Sequence, residues 1–293
     1  MFNFINRMPK ILLFILIFFN YFTYSQRTYE LKKTSESEIY IDGILSEKEK
    51  NSSIKTSIDY EWEPGYNTPA RYETDVYMSY TETHLYVGVF AYGDPENIRG
   101  QVRPRDQMEG DLNEDIIFLR FDPYKDARSV FLLASNAYGS QIDLRARNAI
   151  SDEERYDMTF NALYETKSSI NEKGYIIEFL IPFTSIPYPR GNNQEWGFNM
   201  MRFYTLDGTR VANISDKYDR DNPCRICQIT GKLIIKDIKF EGKTELLPFI
   251  SGNIAGSRKK LSDNSLSYGK AQNEIGLGFK YDISPSSSVE LTI

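Results

Sequence analysis

The stretch that most constrains the fold is Gly174–Tyr204, GYIIEFLIPFTSIPYPRGNNQEWGFNMMRFY. Tyr175, Ile177, Phe179 and Ile181 alternate with Ile176, Glu178, Leu180 and Pro182, which predicts a strand with one apolar face and a second that is mostly buried. A strand of that kind needs cover on both sides, as in the core of a sandwich. Pro182 ends the run because it lacks an amide donor, and the polar YPRGNNQE loop leads into a second strand, Trp196 to Tyr204.

The rest of the chain repeats this grammar. Ser37 to Gly43, SEIYIDG, reads as a short first strand and turn, and Glu47 to Asn51 as one helical turn. Tyr72 to Tyr80 and His84 to Tyr92 alternate about a Thr81-Glu82-Thr83 turn, a hairpin. After a charged loop, Gly93 to Leu112, the segments DIIFLRFD, SVFLLAS and SQIDLRAR follow one another across short turns. Strand candidates recur at roughly 8–12-residue spacing with almost no helical periodicity, and aromatic residues, mostly Tyr and Phe, make up 14% of the chain. The expectation is an all-β chain whose main body, residues 26–238, is an antiparallel β-sandwich.

Both ends differ from that body. Arg7 and Lys10 precede the apolar run Ile11 to Phe19, and Ser25 offers a small residue for cleavage, so residues 1–25 read as a secretory signal peptide. The apolar run is shorter than the roughly 20 residues that a membrane-spanning helix needs. From Thr244, period-two segments return with a different character: Leu246, Pro248, Ile250, Gly252 and Ile254; Ile275, Leu277, Phe279, Tyr281 and Ile283; then Val289, Leu291 and Ile293. Apolar on one side and small or polar on the other is the pattern of a transmembrane β-barrel. Residues 239–293 are therefore expected to be the first strands of an incomplete barrel, the alternative being a small hairpin packed on the sandwich.

Several residue sets carry a family resemblance. They are Ile41-Asp42-Gly43; Thr74-x-Val76-x-Met78-x-Tyr80 followed by Leu85-Tyr86-Val87-Gly88; Asn136, Gly139 and Asp143; Tyr156-Asp157; Gly174-Tyr175-x-x-Glu178-x-x-Ile181-Pro182-Phe183; and Trp196-Gly197-Phe198-Asn199 with Arg202. Together, over roughly Ile39 to Ser251, they resemble a family-nine carbohydrate-binding-module-like domain. In bacterial secreted proteins that domain often precedes an uncharacterised outer-membrane barrel, whose start Glu245-Leu246-Leu247-Pro248-Phe249 resembles. The resemblance implies an immunoglobulin- or jelly-roll-like sandwich that binds a glycan without catalysis at the Gram-negative cell envelope, in the setting of polysaccharide catabolism.

Composition and motifs narrow the chemistry. With 35 basic against 41 acidic residues the chain carries a formal charge of −6, which argues against a nucleic-acid partner. Asp111, Asn113 and Asp115 have the spacing of a calcium loop, yet Ile116 stands where an EF-hand needs glycine. A calcium site at the sandwich edge using Asp111 and Asp115 stays open, beside the reading of a solvated acidic strand start. Cys224 and Cys227 read as a loop disulfide or two idle thiols, since the single histidine, His84, lies too far away in sequence to help build a zinc site. His84 reads as structural.

For binding, sugar C–H faces pack on aromatic planes while hydroxyls take polar side chains. Tyr60 and Trp62 in a turn-rich segment are expected to stack, with hydrogen bonds from Arg105, Asp106 and Asp157, all near sandwich ends; Trp196 is expected in the core. Two other functions remain: a periplasmic plug or interaction domain without a sugar site, and a glycoside hydrolase, which needs paired carboxylates that nothing in the sequence singles out.

Overall fold

The computed structural model describes residues 26–107, 113–149, 151–258, 260 and 264–293. Residues 1–25, expected to be a signal peptide, and Asp111 lie outside the described residues.

The chain begins with β1 (Thr28–Glu30), β2 (Lys32–Lys33), β3 (Ile54–Ser57), β4 (Tyr60–Glu63) and β5 (Thr68–Pro69). The hairpin β6 (Thr74–Tyr80) and β7 (His84–Tyr92) follows, then β8 (Ile116–Asp122), β9 (Val130–Asn136), β10 (Gln141–Ala146) and β11 (Tyr156–Asp157). Next are β12 (Glu165–Asn171), β13 (Gly174–Pro182), β14 (Gln194–Leu206), β15 (Thr209–Ile214) and β16 (Lys232–Ile235). The last are β17 (Thr244–Asn253), β18 (Gly256–Ser257), β19 (Ser267–Tyr268), β20 (Gln272–Ser284) and β21 (Ser287–Thr292). Among the described residues helix is confined to short turns such as α1 (Glu47–Ser52), closed by a reciprocal Ser46–Glu49 capping box.

Two sheets form the sandwich. The larger runs β11-β10-β9-β8-β14-β15-β4-β5, with β16 also on β14 and β1 beside β16; the smaller runs β12-β13-β7-β6-β2, with β3 on β6. Strand β14 is the hub, pairing β8 along one edge and both β16 and β15 along the other. The inner faces meet over Tyr175, Ile177, Phe179 and Ile181 of β13 and Trp196, Phe198 and Met200 of β14, all buried. Trp196 packs edge-on against Phe121 and Phe183, as expected of a core residue.

The second face of β13 is buried as well, and Glu178 explains how. Its carboxylate accepts from the Tyr86 hydroxyl at 2.7 Å and from the amides of Asp42 and Gly43 at 3.1 and 2.6 Å. Ser37–Gly43 is consequently not the strand the sequence predicts. It is a short 3-10 turn and an extended segment, and two of its amides serve Glu178 instead of a neighbouring strand. Gly43 sits at φ +87, and an added Cβ would press on the Ser168 backbone at 3.1 Å.

In the C-terminal region β17, β20 and β21 form a separate antiparallel sheet that does not close into a barrel. Register places Leu246, Pro248 and Ile250 beside Phe279, Leu277 and Ile275 on one face, with Ile250 77% and Ile275 82% exposed. On the opposite face Leu247 and Phe249 cover Gly278 and Gly276.

Candidate functional site

Strands β8 and β9 are buried on both faces, and only one of those faces belongs to the sandwich core. Ile117, Leu119 and Phe121 point inward. Ile116, Phe118, Val130 and Leu132 point outward, where they join Ile142 and Leu144 of β10 and Phe203 of β14 in a second apolar cluster. This outer cluster floors a cleft of about 360 Å³, within the usual size range of ligand sites.

The cleft draws on both ends of the sheet. Trp62 comes from β4, while Tyr156 and Met158 come from β11 and its exit, so the sheet must curl to bring them to one hollow. A loop between β15 and β16 completes the wall with Tyr218, Arg225 and Ile226. Two amide side chains hold this loop. Asn67 exchanges hydrogen bonds with the Tyr218 backbone at 2.7 and 2.8 Å, and Gln228 does the same with Asp219 at 2.6 and 2.9 Å. A Cys224–Cys227 disulfide closes the turn that buries Ile226.

Aromatic and cationic groups set the chemistry. Trp62 and Tyr218 lie with ring centroids 5.3 Å apart at 48°, and the Trp62 indole N–H is buried without a partner. The Arg120 guanidinium, 5% exposed, reaches only the Met201 sulfur at 3.6 Å and the Arg225 carbonyl at 3.4 Å, and burial pulls its pKa below the ordinary value. Arg210 stacks over Phe203 at 4.7 Å with its Nε unpartnered. Burial pushes the Tyr218 hydroxyl up, against the opposing pull of Arg120 and Arg225.

Of the five residues expected to contact a sugar, Trp62 lines the cleft and Tyr60, Arg105, Asp106 and Asp157 do not. Tyr60 shares a strand with Trp62 but lies beside Lys217, whose ammonium is 5.8 Å from its ring. Arg105 donates to Asp143 at 2.8 Å and Asp106 accepts from the Asp143 amide at 3.0 Å, tying their loop to the face of β10 opposite Ile142 and Leu144. Asp157 pairs with Arg145 at 2.6 Å and accepts from Thr159, which together hold its pKa down at about 2. Its neighbour Tyr156 is the one that faces the cleft.

Of the two residues named for calcium, Asp111 lies outside the described residues. Asp115 is buried, accepts from the Arg99 amide at 2.8 Å and has its pKa pushed up to about 6 by burial. Among the described residues no group of three or more His, Cys, Asp or Glu is placed to hold a metal. His84 bonds Thr83 through Nδ1 at 2.7 Å. Sequence reasoning missed Arg120, Arg210, Tyr218 and Arg225. The one available signal was the arginine inside the apolar run DIIFLRFD, where a charge interrupts a two-sided buried strand.

No family model and no curated protein matches the chain. Solved structures do share its fold. A family-nine carbohydrate-binding module from Caldicellulosiruptor kristjanssonii in complex with cellotriose aligns over 73% of this chain and 95% of its own, with a TM-score of 0.51 and 15% identity. A Bacteroides uniformis protein, provisionally assigned as carbohydrate-binding, aligns over 71% and 98% with a TM-score of 0.55 and 13% identity. At such identities the likeness is one of fold, an all-β sandwich, and it covers no barrel.

Proposed function

We propose that this chain binds a glycan in the cleft on the outer face of its larger sheet. The carrying observation is the pairing of the Trp62 and Tyr218 rings beside exposed and buried guanidinium groups in one open hollow. Aromatic planes suit the C–H faces of a pyranose, and Arg120, Arg210 and the Trp62 indole N–H supply donors for its oxygens. The fold neighbours, one of them solved with cellotriose, support the same reading.

The cleft weighs against a plug without a binding site. Its described lining has no carboxylate, so hydrolysis by a carboxylate pair has no acid or base there. We further read the chain as an exported envelope protein. The N-terminal apolar run behind Arg7 and Lys10 supports this, as do a disulfide of the kind that persists in oxidising compartments and the apolar strands of the small C-terminal sheet.

Calorimetric titration of the full chain with oligosaccharides, beside Trp62→Ala, tests the site. Saturable binding should weaken roughly tenfold or more in the variant, as for an aromatic anchor at the centre of a contact. Undiminished affinity in Trp62→Ala would move the site elsewhere.

A further inference from the structure

Among the described residues that line the cleft, the charged side chains are all cationic. Arg120, Arg210 and Arg225 line it, and none makes an ion pair among the described residues. Elsewhere on the sandwich, five arginines are matched: Arg27 with Asp59, Arg71 with Glu61, Arg103 with Glu114, Arg105 with Asp143 and Arg145 with Asp157. Arg202, also buried and without an ion pair among the described residues, instead donates to the Glu73 and Tyr92 carbonyls and the Thr74 hydroxyl. The contrast is sharpest at Arg120, which is buried and bonded only to a thioether and a carbonyl. A guanidinium held out of water without a counter-charge is an unfavourable arrangement that an arriving anion relieves. Asn199, its register partner on β14, is also buried with both side-chain amide atoms unpartnered.

Resting on the glycan reading above, we infer that the ligand is an acidic sugar, whose carboxylate or sulfate ester sits on Arg120 while a ring stacks on the Trp62–Tyr218 wall. Arg suits this role because its planar fork matches carboxylate and sulfate oxygens in pairs. Arg210 and Arg225 stand toward the mouth and raise the local concentration of anions before contact. The overall charge of −6 makes the local excess of cations more telling, since a neutral ligand would need none of it.

The test is titration of the full chain with three trisaccharides: neutral cellotriose, trigalacturonic acid and a sulfated cellotriose. The acidic ligands should bind at least tenfold tighter than the neutral one, an advantage that shrinks at high salt. Carboxylate and sulfate are told apart by which acidic arm prevails. Arg120→Met should remove the preference for acidic over neutral ligand, and Arg210→Gln, at the half-exposed mouth, should lower it without touching the buried position. Equal affinity for all three would overturn the acidic ligand and leave glycan binding standing. Silence from all three would overturn both. If Arg120→Met does not fold, an unchanged preference in Arg210→Gln together with insensitivity to salt would overturn the charge-based reading.

Discussion

Glu178 shows how a residue can be legible in type and hidden in role. Its place in an apolar run marks a strand with a buried second face, but its partners, Asp42 and Gly43, lie 136 and 135 positions away and no local pattern links them. Burial outweighs its three donors and pushes the carboxyl up to about 7 from its ordinary 4.5. The unfolded chain therefore releases this proton first. The group's contribution to stability is full below about pH 4.5, declines as pH rises toward 7 and is level beyond, a change on the order of 3 kcal/mol. Glu178→Gln should flatten the fall of melting temperature between pH 4.5 and 7. Asp115, also raised, leaves a residual slope of the same sign. A variant with the parent's full slope would assign the pH dependence elsewhere.

At the level of elements, the strands were readable and the cleft was not. Period-two alternation marks β6, β7 and β13 directly, because each has one face defined by the core. The same signal misleads at β8 and β9, whose uninterrupted apolar runs look like a core buried under a second sheet. What covers the outer face is the irregular loop through Tyr218 and Ile226, and irregular backbone has no period to read. The loop keeps its place through Asn67, Gln228 and the disulfide. Replacing both Cys224 and Cys227 with Ser should cost about 2 kcal/mol of stability, the loop-closure value for so short a ring. Glycan affinity should fall several-fold as Ile226 and Tyr218 loosen, measured by calorimetry below the variant's melting temperature. Wild-type affinity in that variant would show the disulfide to be dispensable for the site.

Across the whole molecule, two apolar surfaces have different fates. The outer face of the large sheet is partly covered and forms a cleft, whereas the face of β17, β20 and β21 carrying Ile250 and Ile275 is open. The alternation that suggested membrane strands is present in the register of this sheet, but its glycine-lined face is covered by Leu247 and Phe249, a detail that composition alone does not convey. If the open face meets lipid, the chain should float with phospholipid vesicles in a density gradient and Ile250→Asp with Ile275→Asp should abolish flotation, since charge on a lipid-facing strand is costly. Glycan binding should be unchanged in that variant. Equal flotation of parent and variant would show that this face does not carry membrane association.

Strand β14 presents Trp196, Phe198 and Met200 to the interior and Met201 and Phe203 to the cleft, along one continuous backbone. The core and the proposed recognition surface are thus written on opposite sides of the same ribbon. A sugar in the hollow would act as a thermometer for the entire sandwich: occupancy should raise the temperature at which the core melts, by mass action, and the hollow should vanish with the core and not before it.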